Sequence, residues 1–221
     1  PLKELNASHI AAWRDGRLKD VKPSTVRREW NIFSNAFNVA VDEWKWIPAN
    51  PMASVKRPDK VAARDRLWTD DEIERMKHAL NYREGPMKGI FEQVGVAFLL
   101  ALETAMRAGE ILSIKKSDIN GRVLKVSKGK TDAARREVPL SKRALELLEQ
   151  VDYHFTIDSR QLDANFRKAR SCALVDGATF HDTRANAITK MAKKLNILDL
   201  ARAIGHKDLK MLMVYYRDTT A

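Results

Sequence analysis

Arginine and histidine side chains occur at two places where they could together bind a phosphate group. Arg107 follows a long apolar segment, and Glu110 lies three residues after it. His181 and Arg184 are also three residues apart, so in a helix they would share one face. Arginine offers a bidentate fork to phosphate oxygens, and an imidazole exchanges a proton near neutral pH. Taken alone, each pair is better explained as a helix cap, an ion pair or a solvated side chain.

A histidine and two tyrosines lie near the end of the chain. His206 follows Gly205, and Tyr215 lies nine residues further along, directly before Tyr216. A tyrosine hydroxyl can attack phosphorus and hold it covalently. A pair of tyrosines is more often packing, so this feature too is ambiguous alone.

Residues 122–136 form a strongly basic segment with one acidic side chain, Asp132. Its basic residues are Arg122, Lys125, Lys128, Lys130, Arg135 and Arg136. A lysine here could protonate a leaving alkoxide, and the whole segment could contact phosphates. A solvated hairpin would have the same composition.

Together these residues suit a phosphoryl transfer. Arginines neutralise the non-bridging oxygens of the transition state, while histidine and lysine move protons. Because guanidinium charge takes the place of a metal ion in this scheme, we expect no metal site and no cofactor.

The elements that position these residues are mainly helical. Apolar residues recur every three or four positions after Ser24 or Thr25, either of which could cap a helix, and the pattern stops at Pro48. Thr69 opens a second helical region with a capping box. Residues 91–106 read as a buried helix, and 122–140 as a β-hairpin with a long loop. Further helices are predicted after Ser141, after Asp158, over 181–195 and over 198–204.

We therefore expect a mainly α fold with a small antiparallel β-sheet, arranged in two lobes. Residues 1–60 form a helical domain with a proline-containing linker that starts near residue 48. Residues 61–221 form the second domain.

Composition restricts the class of protein. The 221 residues carry a net charge of +11. Composition alone is explained about equally well by a polyanionic partner, above all nucleic acid, and by solubility. One cysteine, Cys172, excludes an internal disulfide, and we expect it to be an ordinary buried thiol. There is no apolar stretch of membrane-spanning length and no signal peptide in these residues, so a cytoplasmic, nucleoid-associated protein is expected.

The order of these residues resembles the tyrosine recombinases of the phage integrase family over nearly the whole chain. Members carry Arg, Lys, His-x-x-Arg, His or Trp, and Tyr in this order. Arg107 with Glu110 resembles the first box, and His181 with Arg184 matches the second. Ile204-Gly205-His206 resembles the Leu-Gly-His element, and Tyr215 lies at the family's usual distance from it.

The resemblance implies a two-lobed clamp around double-stranded DNA, with 1–60 the core-binding domain and 61–221 the catalytic domain. Tyr215 would attack a phosphate to give a 3′-phosphotyrosine and a free 5′-hydroxyl. Arg107, Arg184 and His206 would bind the phosphate, His181 would act as general acid or base, and Glu110 would orient Arg107. The catalytic lysine would be Lys130, with Lys128 as the alternative, and Tyr216 is the rival to Tyr215.

The resemblance also implies the partners. We expect a tetramer on paired DNA sites, a DNA-bending accessory protein, and integration or excision of a phage or other mobile element. DNA contacts are expected at basic positions in both domains: Arg27, Arg28, Lys128, Arg135 and Arg136. The alternative is a non-catalytic DNA-binding regulator on the same scaffold.

The chain departs from the family at three points. The first box usually reads Thr-Gly-x-Arg, whereas this chain has Ala105 in place of the glycine, so we expect ordinary helical or extended torsions there. The N-terminal helical domain is short for the family, and the chain stops five residues after Tyr216. Both suggest a fragment of a longer protein.

Overall fold

The computed structural model describes residues 2–60, 65–126, 135–206 and 208–219. The chain folds as two compact units that divide between residues 64 and 65, close to the division expected at 60 and 61. In the described part of the chain, no helix combines the length and the apolarity that a membrane crossing needs.

Two helices build the N-terminal unit, α1 (Ala7–Asp20) and α2 (Pro23–Asp42). The Asn6 side chain caps α1 by accepting the backbone N–H of Ser8 at 3.0 Å. Helix α2 begins at Pro23, so the expectation of a cap at Ser24 or Thr25 was wrong. Proline suits this position because its φ is already helical and the first turn needs no N–H from it.

The predicted linker begins inside the N-terminal unit. Ile47 and Met52 are buried, and Met52 packs against Ile10 and Trp30. The Asn50 amide donates to the backbone carbonyl of Ser34 at 3.1 Å, which fixes this segment on α2. The three prolines between 48 and 58 therefore shape a packed segment rather than a free connection.

The C-terminal unit carries seven helices and one sheet among its described residues. The helices are α3 (Asp70–Ala79), α4 (Ile90–Thr104), α5 (Ala108–Leu112), α6 (Lys142–Gln150), α7 (Ser159–Cys172), α8 (Asp182–Ala192) and α9 (Ile197–Ile204). The strands are β1 (Ile119–Asn120), β2 (Val123–Val126) and β3 (Arg136–Pro139). Two 3₁₀ segments, Leu209–Met211 and Met213–Thr219, follow α9.

Helix α4 lies at the centre of this unit because it is apolar on nearly every side. It packs against α6, α7 and α8. Phe98 on α4 makes an edge contact with Trp68, at a ring-centroid distance of 5.0 Å. The side-chain amide of Asn186 on α8 accepts the backbone N–H of Trp68 and donates to the backbone carbonyl of Trp68, each at 2.8 Å. Trp68 thereby joins α8 to the helix at the centre of the core.

Local capping signals place most of the helix starts correctly. The Thr69 hydroxyl accepts the N–H of Glu72, and the Ser141 hydroxyl accepts that of Ala144. The Asp158 carboxylate caps α7. Gly205 ends α9 in the left-handed conformation, with φ of 68°.

The sheet is antiparallel in the order β1-β2-β3, and its first strand was not expected. The predicted hairpin is confirmed, with Leu124 opposite Val138 and Val126 opposite Arg136. Its tip, residues 127–134, lies outside the described residues and contains both Lys128 and Lys130.

A second apolar cluster positions the end of the chain. Ala105, Ile188, Leu200, Ile204 and Leu212 are buried together. Tyr215 and Tyr216 pack against this cluster from the 3₁₀ segment. The tyrosines are thereby held against α8 and α9.

Two expectations about single residues were wrong. Ala105 has φ of 55° and ψ of 17°, a left-handed conformation that an L-residue occupies at a cost of roughly 1–2 kcal/mol. The alanine therefore adopts the torsions that a glycine would adopt freely. Cys172, the last residue of α7, is exposed rather than buried.

Ala105→Gly is expected to be close to neutral for stability. Relief of the left-handed strain gains roughly 1–2 kcal/mol. Losing a buried methyl costs about 0.8 kcal/mol, and the extra freedom of glycine in the unfolded chain costs roughly 0.5–1 kcal/mol. Urea denaturation measures the sum. Ala105→Val is the contrasting variant, since a β-branched residue at this φ should lose more than about 2 kcal/mol. A large loss for the glycine variant would show that the buried methyl, not the torsion, dominates at this position.

Candidate active site

A tight corner after α4 places Arg107. The Thr104 hydroxyl donates to the carbonyl of Leu100 at 2.6 Å and accepts the N–H of Met106 at 3.3 Å. With Ala105 left-handed between them, the chain reverses, and Arg107 becomes the residue before α5. Its side chain is 47% exposed, so the guanidinium can reach a ligand.

Glu110 on α5 is held by two arginines. One carboxylate oxygen, Oε1, accepts Nη1 of Arg107 at 3.0 Å and Nη1 of Arg136 at 3.0 Å. The other oxygen, Oε2, accepts Nη2 of Arg136 at 2.9 Å and the backbone N–H of Arg107 at 2.9 Å. Burial alone would raise the pKa of Glu110, but the hydrogen bonds and charge of the arginines outweigh it and lower the pKa to about 2.

Arg136 was expected to contact DNA from the surface, but the structure places its side chain in the interior of the site. Its side chain is only 5% exposed, it forms the bidentate pair with Glu110, and its Nε donates to the carbonyl of Ala203 at 3.0 Å. One signal in the sequence could have indicated this. Arg136 is two residues before the buried Val138 on the same strand, so both side chains point to the same face.

Arg184 on α8 is a second buried cation of the site, at 5% exposure. Its Nη2 donates to the carbonyl of Ile204 at 2.8 Å, and its Nη1 donates to the carbonyl of Ala105. Burial, and then the charges of Arg107 and Arg136, lower the pKa of Arg184 to about 10. The guanidinium thus stays charged at neutral pH while it joins the corner after α4 to the end of α9.

The turn before α8 is fixed by Asp182 rather than by His181. The Asp182 carboxylate accepts the N–H of Thr179 at 2.7 Å and its hydroxyl at 3.0 Å. His181 is exposed at the helix start, and within the described residues no hydrogen bond links its imidazole to the arginines. The structure therefore brings Arg184 into the cluster and shows no such contact for His181 among the described residues.

His206 follows directly from the end of α9. Its backbone N–H donates to the carbonyl of Ala201 at 3.0 Å, and its side chain is half-buried. Burial, followed by the charges of Arg184 and Arg107, lowers the pKa of His206. These surroundings favour the neutral imidazole, in which one ring nitrogen donates a hydrogen bond and the other accepts one.

The two tyrosines have different surroundings. Tyr216 donates its hydroxyl to the carbonyl of Leu195 at 2.7 Å, and burial raises its pKa. Tyr215 is half-buried and lies near enough to Arg184 to influence the pKa of that arginine. The geometry favours Tyr215 as the hydroxyl available to a ligand of the cluster.

Among the described residues, the other predicted positions take no part in the contacts given above. Arg28 and Arg135 are exposed. Arg27 is half-buried and donates to the backbone carbonyl of Pro58, so it holds the segment after α2. The position of the lysine is left open, because Lys128 and Lys130 lie outside the described residues.

The cluster has the properties of an anion site next to a tyrosine hydroxyl. Arg107, Arg184 and His206 converge through the corner after α4, the start of α8 and the end of α9. Guanidinium and imidazole donors in a partly desolvated site stabilise charge on phosphate oxygens more strongly than they would in water. Tyr215 adds a hydroxyl beside this charge.

Glu110→Gln is expected to remove an acid-dependent part of the stability. A pKa lowered from 4.5 to about 2 stabilises the folded state above pH 4.5. That contribution, roughly 3 kcal/mol, is lost as the pH falls from 4.5 through about 2. Urea denaturation should give a higher free energy of unfolding for the wild type than for the variant at about pH 6, and this difference should disappear near pH 2. The other carboxylates titrate in both proteins, so their contributions cancel in the difference. A difference that is constant with pH would contradict the assigned ion pairs.

Comparisons with known proteins show the family of this chain. Residues 66–221 match the model of the phage integrase family. An inferred integrase/recombinase of Haemophilus influenzae is 36% identical over 97% of this chain and 62% of its own length. The shufflon-specific DNA recombinase of Escherichia coli is 32% identical over 97% of this chain and 58% of its own.

The fold is also found in solved structures. A lambda integrase dimer bound to a COC′ core site superposes with a TM-score of 0.80 over all of this chain and 67% of that one, at 23% identity. The chain spans about three fifths of the length of the two curated relatives named above. With its site, its fold and the family match together, the chain belongs to the phage integrase family of tyrosine recombinases.

Proposed function

We propose that this chain cleaves and rejoins double-stranded DNA at specific sites through a 3′-phosphotyrosine. The observation that carries the proposal is the convergence of Arg107, Arg184 and His206 beside Tyr215. A phosphodiester is the substrate that uses all four side chains, because it offers anionic oxygens to three and an electrophilic phosphorus to the fourth.

The reaction exchanges one ester for another. The Tyr215 oxygen forms a bond to phosphorus while the bond from phosphorus to the 5′-oxygen breaks. The tyrosine proton passes to a base and the 5′-oxygen receives a proton from an acid, so charge balances. Attack by a second 5′-hydroxyl reverses both steps and releases the tyrosine. No external energy source is needed, since the phosphodiester energy is kept in the phosphotyrosine.

We assign the proton transfers to His181 as general acid or base and to Lys130 as acid for the 5′-oxygen, with Lys128 as the alternative. An exposed His181 at the start of α8 is free to reach a bound strand. Arg28, Lys128 and Arg135 are proposed to contact the DNA backbone around the site, in keeping with the net charge of +11.

Exchange between two duplexes cleaves four strands, and each cleavage uses one tyrosine. Four copies of the chain are therefore proposed to act together on paired sites. We also propose that a DNA-bending protein assists the assembly, and that the reaction integrates or excises a phage or other mobile element.

Covalent capture tests the proposal and selects the target sequence in the same experiment. The chain is incubated with a pool of nicked duplexes of random sequence, and SDS-resistant adducts are isolated, sequenced and re-selected. The expected result is a recurrent sequence joined at its 3′ end to the protein, formed equally well in excess EDTA. Retention of DNA on filters without any adduct would instead support the alternative, a non-catalytic DNA-binding regulator.

Lys130→Ala is expected to slow cleavage of the selected duplex by roughly 10²–10⁴-fold, the usual contribution of a general acid. A 5′-bridging phosphorothiolate in the same duplex should remove most of the deficit, since a leaving thiolate needs no proton. Single-turnover adduct formation measures both rates. Selective rescue of Lys128→Ala would move the role to that residue, and rescue of neither would move it to His181.

A further inference from the structure

Arg136 connects three parts of the site that the proposed reaction needs. It reaches from the first residue of β3 to the carboxylate of Glu110 on α5 and to the carbonyl of Ala203 on α9. With 5% of its side chain exposed, it is too enclosed to serve as a surface contact for DNA. Its role must therefore be sought in the groups that it holds.

The first of these groups is Arg107, reached through a shared carboxylate. Oε1 of Glu110 accepts both Nη1 of Arg107 and Nη1 of Arg136, each at 3.0 Å. One negative charge is thus divided between two guanidinium groups, which leaves a net positive charge for a phosphate. Without Arg136, the carboxylate would neutralise Arg107 and repel the phosphate that Arg107 has to bind.

The second group is the end of α9. Arg136 donates to the carbonyl of Ala203 at 3.0 Å, and Arg184 donates to the next carbonyl, that of Ile204, at 2.8 Å. His206 leaves the helix two residues later. Two cations at a helix C-terminus interact favourably with the helix dipole. Here they also fix the position of the last turn of α9, and therefore of His206, which follows it.

We propose that Arg136 is a positioning residue that keeps the charge of Arg107 available to the scissile phosphate and holds the turn that carries His206. This inference rests on the proposed strand cleavage. The residue touches neither the DNA nor the reacting atoms and acts through Glu110 and Ala203. The charge of Arg136 also contributes to the lowered pKa of Arg184 and of His206, which agrees with its place beside both.

Arg136→Met tests the proposal on the duplex selected by covalent capture. With enzyme in saturating excess, the rate constant of adduct formation should fall by about 10²-fold, the effect of a small misplacement of a catalytic group. Arg136→Lys, which retains a charge beside Glu110, should fall less. Because partial unfolding lowers the yield of adduct rather than the rate constant of the folded fraction, the two are measured separately.

Adding Glu110→Gln to Arg136→Met gives the decisive comparison. An uncharged amide can no longer neutralise Arg107, so the double variant should react about tenfold faster than Arg136→Met alone. If Arg136 had only a structural role, the second change in the same buried cluster would leave the rate constant unchanged or lower it. Such a result, or a single variant as fast as the wild type, would overturn the proposal.

Arg143→Met is the matched control. Arg143 is also a partly buried arginine of this unit, and its Nη2 pairs with Glu84 at 2.8 Å on the side of α6. It should keep the wild-type rate constant, which would show that loss of an Arg–Glu pair alone does not slow the reaction. A wild-type chain that forms no adduct would overturn strand cleavage itself. Normal wild-type cleavage with an unaffected Arg136→Met would overturn only the role of Arg136.

Discussion

Tyr215→Phe should form no covalent adduct with the DNA selected by capture, while its folding and DNA binding persist. The variant loses only the hydroxyl oxygen, so the ring still packs against the cluster that contains Leu212 and Ile204. Because the oxygen is the atom that would bond to phosphorus, no other group can replace it in the ester. Denaturing gels after incubation with the nicked duplex measure the adduct, and filter retention measures binding.

Tyr216→Phe is the matched variant, since it removes the same atom one residue away. That hydroxyl donates to the carbonyl of Leu195 at 2.7 Å, so its loss should reduce stability by roughly 0.5–1.5 kcal/mol and leave adduct formation intact. The opposite pattern, with Tyr215→Phe active and Tyr216→Phe inactive, would transfer the nucleophile to Tyr216.

Arg184→Gln should slow adduct formation by roughly 10³–10⁵-fold, as loss of an arginine that stabilises a phosphoryl transition state does. Two of its N–H groups are bonded to the carbonyls of Ala105 and Ile204, which leaves the others for a ligand. The effect on stability should be far smaller. Lost carbonyl hydrogen bonds destabilise the variant, whereas removal of a charge buried beside Arg107 and Arg136 stabilises it.

Arg202→Gln controls for the change of charge near the end of α9. Arg202 is 82% exposed and pairs with Asp199 on the helix surface, so we expect a rate within about twofold of the wild type. Comparable losses in both variants would mean that the reaction responds to general positive charge rather than to the fork of Arg184. Single-turnover rates at two salt concentrations distinguish these cases, because general charge effects weaken with salt.

The sequence predicted those parts of the fold that neighbouring residues determine. Thr69, Ser141 and Asp158 begin helices through bonds that reach only two or three residues ahead. The nearly continuous apolar character of 91–106 and the two apolar strand segments of the hairpin are local patterns of the same kind. The candidate site could be assembled from them only by resemblance, because order along a chain does not measure distance in space.

The parts that the sequence could not predict depend on distant partners. In the sequence, Arg136 cannot be distinguished from the other basic residues of its segment. Its role depends on contacts with Glu110, 26 positions earlier, and with Ala203, 67 positions later. Ala105 adopts the left-handed conformation where its carbonyl meets Arg184, 79 positions further along the chain. No propensity of alanine or arginine contains this information, since tertiary contacts supply the free energy that offsets the local cost.

The bond from Tyr216 to Leu195 has a mechanical meaning for a strand joined to Tyr215. The Tyr216 side chain is fixed to Leu195 by this hydrogen bond. Successive Cα atoms are about 3.8 Å apart, so a 3′ end esterified to Tyr215 would be attached only one residue from that fixed side chain. Such a tether gives the captured end little freedom to drift, and the travelling partner in rejoining is then the released 5′ end. Which strand end moves during exchange would then follow from which end is anchored: the protein holds the 3′ end in place, and the free 5′ end moves.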